Sequence, residues 1–580
     1  MEKNELFKKR HSLAHLLAIA VLDKYPDAKV AIGPVIERGF YYDFEFPTTA
    51  PTPDDLKDLQ KRMKKLVSKK LDFEVEEVSE SDAKEMFKDQ PYKLELIEGI
   101  AKEGENLTIY KTGEFTDLCE GPHVKNTSEI DTDAFKLEKL AGAYWRGDEK
   151  NKMLTRIYGL AFNTKEELDA YLKMQEEAKK RDHRKIGKEM DLFTFSELVG
   201  SGLPLFTPKG TLMRDLIVEK IQGLQEELGY QKVTIPHITK KDLYETSGHW
   251  KKFGDELFKV KGKQDSEFVM KPMNCPHHTQ IFAGKPRSYK ELPLRYAETT
   301  MVYRDEQQGE LLGLSRVRSI TQDDGHVFCM PEQIEEEIKN IVKVIEGFYI
   351  SLDMFKEGDF WVSVSVRDSK DLDKYLGSEE KWSEAENTLE KIAKENKLPY
   401  KKVEGEAAFY GPKLDFMFKD ALGREWQLAT AQLDFVMPER FGLEYVDNDG
   451  SKKTPVMIHR AIAGSLERFL SVIIEHFAGA FPLWLSPVQV KVLPIAEAHK
   501  DYAKGVFEKL KESGLRAELD DSDESLGKKI RAGKLEKVPY MLVIGDKEKE
   551  ENKVMIESRD EGQLGQKTTN DFLKSIEKEI

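Results

Sequence analysis

The sequence predicts a multidomain α+β protein built around an antiparallel sheet, with a smaller α/β domain at its end. Three observations carry this reading. The chain has 580 residues, too many for one hydrophobic core and about right for three domains. Its middle mixes helical patterns with strand-like runs, L-R-Y-A-E-T-T-M-V-Y at 294–303 and F-W-V-S-V-S-V at 360–366, the pattern of strands that return beside one another. Residues 485–580 alternate strand and helix instead.

The first block, residues 1–163, opens with an amphipathic helix from His11 to Leu22. G-F-Y-Y-D-F-E-F at 39–46 follows, its aromatic and acidic residues alternating as in a strand, and then a charged helix from Asp54 to Lys70. Residues 164–190 are dense in charge and begin with Thr164 and Glu167 spaced as a capping box, which predicts a linker helix. The second block covers 191–484. The third, 485–580, begins at the Pro487 turn; V-Q-V-K-V-L-P-I, a helix and Y-M-L-V-I-G predict a small, largely parallel α/β domain.

Composition narrows the setting. Three cysteines, no secretory signal and no apolar run long enough to span a bilayer argue against a disulfide framework or a membrane protein, and fit a reducing cytoplasm. The net charge of −15 argues mildly against nucleic acid, although binding needs only a local basic face.

The chemistry-bearing residues concentrate in the second block. Cys275 in V-M-K-P-M-N-C-P-H-H, His326 in T-Q-D-D-G-H-V-F-C and His459 in P-V-M-I-H-R-A-I-A-G-S form a thiolate and imidazole set suited to zinc with one open position. Their wide spacing is no metal motif by itself. Arg304, Arg316 and Arg468 carry planar guanidinium forks suited to phosphates. A strand ending at Tyr303 delivers Arg304 and Glu306, a loop with Gly309 and Gly313 turns the chain, and a second strand is expected to bring Arg316 back. Glu306 or its backbone could meet an adenine amine. Gly464 opens a helix whose first turn holds Glu467 and Arg468, where free N–H groups favour anions. Taken singly, each arginine reads more readily as a surface ion pair.

Taken together, Tyr303-Arg304-x-Glu306, a loop with a second arginine, and G-x-x-x-E-R at a helix start resemble motifs 2 and 3 of the class II aminoacyl-tRNA synthetases. K-P-M-N-C-P, T-Q-D-D-x-H and I-H-R-A-I-x-G-S-x-E-R-F resemble the threonyl-tRNA synthetases in particular, over nearly the whole chain. The resemblance implies an antiparallel-sheet class II catalytic core at 191–484, an α+β editing domain at 1–163 and an α/β anticodon-binding domain at 485–580. It implies a threonine–tRNA ligase that uses ATP with Mg²⁺ and one zinc per subunit on Cys275, His326 and His459. Arg304, Arg316, Arg468, Glu306 and Gln427 would bind ATP. Met273, Gln322, Asp324, Tyr410 and Gln427 would surround threonine, and His249 would assist transfer to tRNA(Thr). Pro236, after a long helix and V-T-I, fits motif 1, so a homodimer is implied.

A shaped pocket separates near-isosteres such as threonine and valine only about a hundredfold, and a missing methyl yields about 1–3 kcal/mol. Serine keeps the amine and hydroxyl, so editing is expected. His11 and His15 lie on one helical face, and Asp117, Cys119 and His123 form a second cluster. The set reads naively as a zinc quartet; the resemblance implies a metal-free deacylase with Lys93 helping to position substrate.

Several residues depart from the family. The chain begins at the editing block, so the small N-terminal ubiquitin-like domain common in the family is expected to be missing. Ile320 replaces a phenylalanine expected against adenine, and His277 a glycine beside Cys275. Glu548 fits an anticodon contact, while Asp523 and Glu557 stand where neutral or basic groups are expected. Two rival readings remain at this stage: a catalytically silent synthetase-like RNA-binding regulator, and a metallohydrolase on H-x-x-x-H. The second lacks the glutamate of H-E-x-x-H.

Overall fold

The computed structural model describes residues 4–263 and 267–580, and the chain divides into two compact units, Met1–Glu176 and Glu177–Ile580. In the first, Asn4 caps the Glu5–Lys24 helix by accepting the Phe7 amide. The expected amphipathic helix is longer and is buried on most sides between Arg10 and Val21. The reason is tertiary: the Gly39–Glu45 strand and the Asp55–Ser68 helix both pack on it. That strand lies in an antiparallel sheet with Lys29–Val30, Met153–Ala161 and Phe135–Tyr144. A second small sheet pairs Glu74–Val78, Leu107–Thr112 and Phe115–Leu118.

The expected linker helix is two helices, Lys165–Arg181 and His183–Glu189. Asp182 makes the break, because its carboxylate accepts the Arg184 amide and caps a new helix.

The second unit is organised by an eight-stranded sheet in the order Gln231–Lys232, Leu294–Tyr303, Ser319–Cys329, Val456–Ala461, Glu425–Asp434, Lys413–Lys419, Phe360–Val366 and Tyr400–Glu404. The six inner strands are antiparallel and only the two edge strands pair in parallel. This is the antiparallel sheet that the strand-like runs predict. The Ile334–Ile350 and Leu466–Phe477 helices cover its apolar face, with Ile338, Ile345, Phe348 and Phe469 fully buried.

The last sheet runs Ala517–Leu519, Val490–Pro494, Tyr540–Ile544, Val554–Ser558 and Gly562–Lys567. Its first three strands are parallel and its last two antiparallel, so the largely parallel expectation holds for only part of it. Parallel pairing needs a long crossover. Helices at Lys500–Glu512 and Leu526–Leu535 supply two, whereas the last strands are joined by short connections.

Successive residues of the Ser319–Cys329 strand point to opposite faces. Beneath the sheet, Asp323 accepts Arg460 Nη1 at 2.7 Å and the Ile462 and Ala463 amides at 2.7 and 3.1 Å. The Arg460 guanidinium lies against Gly325, where a Cβ would come within 2.5 Å of Nε. Removing one partner of such a buried pair strands a charge. Asp323→Ala is therefore expected to cost about 3–5 kcal/mol, measured as a lowered urea midpoint by tryptophan fluorescence. A midpoint unchanged from the parent would show that the pair is dispensable.

Candidate functional site

The other face of the same strand carries the site. Leu294–Tyr303 pairs with Ser319–Cys329 along its length, so Arg304 emerges from the sheet opposite Arg318, whose carbonyl accepts its amide at 3.1 Å. The Arg304 guanidinium stands over the Phe253 ring at 4.7 Å, with Nη2 3.2 Å from Met273 Sδ. Its Nε is buried without a hydrogen-bond partner, and among the described residues no carboxylate pairs with it. Burial lowers its pKa from the usual arginine value.

Arg468 lies in the first turn of the Leu466–Phe477 helix, which starts just after Gly464 and is capped by Ser465, a cap the sequence reading did not name. Its Nε donates to Ser315 O at 3.1 Å, and it too has no carboxylate partner among the described residues. Arg316 differs from expectation. It sits in the loop before the strand rather than on it, and pairs with Glu306 at 2.6 Å and Glu310 at 3.1 Å. The Glu306 carbonyl is taken by Arg318, a residue the sequence reading missed. Arg304, Arg316, Arg468, Ile320, Gln322 and Gln427 line one open cleft.

Cys275, His326 and His459 converge as expected; their ligand atoms all lie within 4.8 Å of one another. Cross-strand register does this, because His326 stands opposite His459 and Cys275 begins a helix beside them. His459 Nε2 meets Asp434 at 2.8 Å, which turns Nδ1 toward His326 Nε2 at 3.1 Å. His326 Nδ1 meets His278 Nδ1 at 2.8 Å. Two ring nitrogens directed inward beside a thiol, each ring held from behind, fit the donor set of a zinc ion. Burial, reinforced by Asp324 and Asp434, pushes the Cys275 thiol well above its usual value, and burial with the neighbouring His278, His459 and Arg460 pushes the His326 imidazole well below its own; a divalent cation would favour the thiolate instead. His277 stays outside the triplet, against Tyr244. The supporting residues Asp434 and His278 were not identified from sequence.

Around the triplet, Asp324 accepts Asn274 Nδ2 at 3.0 Å and burial raises its pKa. Tyr410 stacks on His459 and donates to Gln432 at 2.7 Å. Gln427 Nε2 and Thr430 Oγ1 both donate to Asp415 Oδ1, at 2.7 and 2.8 Å. His249 is buried, with Nδ1 2.8 Å from Ser247 Oγ and Nε2 3.8 Å from Cys275 Sγ. Burial pushes its pKa down to about 3, so the ring is neutral.

In the first unit, His11, His15, Cys119 and His123 also form one group. Cys119 Sγ lies 3.3 Å from both His11 Nε2 and His123 Nε2, while Ser12 Oγ meets His123 Nδ1 at 3.1 Å. These contacts engage His11 and His123, whereas His15 Nδ1 is buried without a hydrogen-bond partner. Asp117 joins the group to Lys93 at 2.5 Å, Tyr42 at 2.6 Å and His15 at 3.5 Å. Tyr42 was seen in sequence only as a strand residue. Glu548 is buried, and both oxygens are engaged within its domain, by the Gly545 amide and Gln566. Asp523 pairs with Lys500 and Glu557 with Lys534, which offsets the unexpected acidity.

Comparison with known proteins accounts for all three blocks. Residues 107–158 match the threonyl and alanyl tRNA synthetase second additional domain, 258–477 the tRNA synthetase class II core domain (G, H, P, S and T), and 489–579 an anticodon binding domain. The threonine–tRNA ligase of Gloeobacter violaceus is 51% identical over 570 residues, covering 97% of this chain and 90% of its own. That of Cytophaga hutchinsonii is 50% identical over 574 residues, covering 98% and 88%. The crystal structure of the RNA binding domain of threonyl-tRNA synthetase from Cryptosporidium parvum Iowa II has 37% identity and a TM-score of 0.64, over 69% of this chain and 98% of that one.

The thiol chemistry of the first cluster is directly testable. Burial pushes Cys119 up to about 12, so little thiolate exists near neutrality. Alkylation by iodoacetamide, read at Cys119 by mass spectrometry, is expected to be slow at pH 7 and to rise about tenfold per pH unit to pH 9, following the thiolate fraction. A pH-independent fast reaction would mean that a neighbouring cation holds the thiolate.

Proposed function

The chain belongs to the threonine–tRNA ligases, and from that premise we propose that Arg304 and Arg468 are the phosphate-binding groups of its activation reaction. The enzyme joins threonine to tRNA at the expense of ATP and carries an editing domain. The observation that supports the assignment is the pair of guanidinium groups opening on one cleft without carboxylate partners. A buried charge without a partner is costly, and the unpaired Arg304 guanidinium beside Arg468 is left for an external anion.

Threonine's carboxylate attacks the α-phosphorus of ATP, brought with Mg²⁺, and pyrophosphate leaves. Arg304, fixed by Phe253 and Met273, meets the charge that grows on the α-phosphate; Arg468 and Arg316 take the outer phosphates. This is catalysis by positioning and charge compensation. Gln427, held by Asp415, and Glu306 and Ile320 border the nucleotide. Met273, Gln322, Asp324 and Tyr410 enclose the amino acid. A zinc ion on Cys275, His326 and His459 would supply a Lewis-acid site for threonine's amine and hydroxyl, which valine cannot match. Asp434 and His278 keep the two imidazoles in the required tautomers. His249, neutral and beside Cys275, assists transfer to the tRNA terminal ribose.

Seryl-tRNA is cleared at the His11, His15, Lys93, Asp117, Cys119 and His123 cluster, without metal. Lys93 and Asp117, paired at 2.5 Å beside the rings, supply the charged groups of that reading. The same proposal includes domains at 1–163, 191–484 and 485–580 with a linker at 164–190, a homodimer through the helix before Pro236, and a cytoplasmic setting. Glu548 enters it as a residue that shapes the anticodon-binding surface.

Arg304→Ala is expected to slow threonine-dependent pyrophosphate exchange by about 3 kcal/mol or more in activation free energy, with little rescue by Arg304→Lys. An unchanged rate with only a higher KM for threonine contradicts the role. Cys275→Ser is expected to lose zinc by elemental analysis and to lose exchange, with the circular dichroism spectrum retained; full activity in a zinc-free variant removes the metal from the proposal. Replacing His11 and His15 together by alanine is expected to abolish hydrolysis of preformed seryl-tRNA and spare threonine activation. Equal hydrolysis by parent and variant would reduce both histidines to structural residues.

A further inference from the structure

His183 is buried, belongs to neither reactive cluster and has both ring nitrogens engaged. The Leu314 amide lies 3.0 Å from Nε2. A backbone N–H can only donate, so Nε2 carries the lone pair and Nδ1 the proton. That proton points at Glu475 Oε1, 2.6 Å away, and the same oxygen accepts the His183 amide at 3.1 Å. Arg424 holds the other Glu475 oxygen, and Arg181 donates to the Glu475 and His476 carbonyls. Asp182, His183 and Glu475 are near enough to resemble a metal group, but the ring has no nitrogen left for an ion.

What this histidine joins is informative. Glu475 lies seven residues beyond Arg468 on the Leu466–Phe477 helix, two turns along the same face. Leu314 immediately precedes Ser315, whose carbonyl accepts Arg468 Nε and whose hydroxyl meets Ser471 at 2.9 Å, and then Arg316. Gly313 takes the left-handed conformation (φ 51°), and a Cβ there would come 2.3 Å from His183 Nε2. The loop is therefore shaped to approach this ring.

We propose that His183 is a positioning residue for ATP, holding the Leu312–Arg316 loop against the helix that carries Arg468. The inference rests on the phosphate-binding reading of Arg304 and Arg468. Without the ring, the Leu314 amide loses its acceptor, Ser315 drifts from Arg468 and Arg316 loses its register. The threonine pocket lies farther along Ser319–Cys329 and on Glu425–Asp434 and is held separately by Asn274, Asp415 and Asp434.

The test measures pyrophosphate exchange with the full-length enzyme, varying ATP and threonine separately. His183→Ala is expected to raise the KM for ATP about tenfold, the scale of one buried hydrogen bond, with the KM for threonine within about twofold. His183→Gln, whose amide can accept from Leu314 and donate to Glu475, is expected to recover most of the loss. Amide hydrogen exchange should quicken in the peptide containing Leu314 and stay unchanged in the strands of the sheet. Equal rises in both KM values, no change in either, or no rescue by glutamine would overturn the proposal. Should the alanine variant misfold, the glutamine variant and the exchange map still decide it. Arg304→Ala runs alongside: if it leaves exchange unaltered, the phosphate-binding reading has failed; if it behaves as expected and His183 does not, only the present inference has.

Discussion

The registration of Ser319–Cys329 against its two neighbours is the constraint on which the rest of the catalytic unit depends. It sets His326 opposite His459 and Asp324 opposite Glu298, and presents Gln322, Asp324 and His326 on one face. A slip of one residue would turn all three away. Asp323 and Arg460 fix that register from beneath, and Gly325 leaves the room in which Arg460 lies flat. The polar groups under the sheet thus specify the arrangement of the groups above it.

Electrostatics divides the cleft in two. Toward Cys275, His326 and His459, burial favours neutral forms of His249, His326 and Asp324. Toward the arginines, the protein tolerates unneutralised positive charge, stabilised by the Phe253 ring and the Met273 sulfur at Arg304 and by a backbone carbonyl at Arg468. A desolvated pocket beside a cationic one suits a substrate with a small polar end and a polyanionic end.

Legibility in the sequence followed the range of the interactions. Strands with alternating or continuous apolar character, such as 294–303 and 360–366, could be read because their signal is local. So could the helix start after Gly464 and the three-part organisation of the chain. The first helix was misjudged as amphipathic because partners distant in sequence bury its second side. The linker was read as one helix although Asp182 carries the side chain of a cap. Arg316 was expected on a strand, but the chain makes a further turn between Leu312 and Arg316 before the ladder starts. Asp434, His278, Asn274 and Asp415 went unnoticed as supporting residues, since their meaning depends on which ring or amide they face. Resemblance, rather than spacing, brought Cys275, His326 and His459 together on paper.

The pairing of Arg316 with Glu306 and Glu310 has one more consequence. An incoming anion does not meet a bare cation there; it meets an occupied one, and must outcompete two carboxylates tethered a few residues away. Their local concentration is high and does not vary with the solution. On the phosphate-binding reading, a polyphosphate anchored at Arg304 and Arg468 would arrive with a comparable local concentration of its own, which a free monovalent anion lacks. The ion pair would then act as a threshold, passing ligands by their multivalency rather than by charge alone.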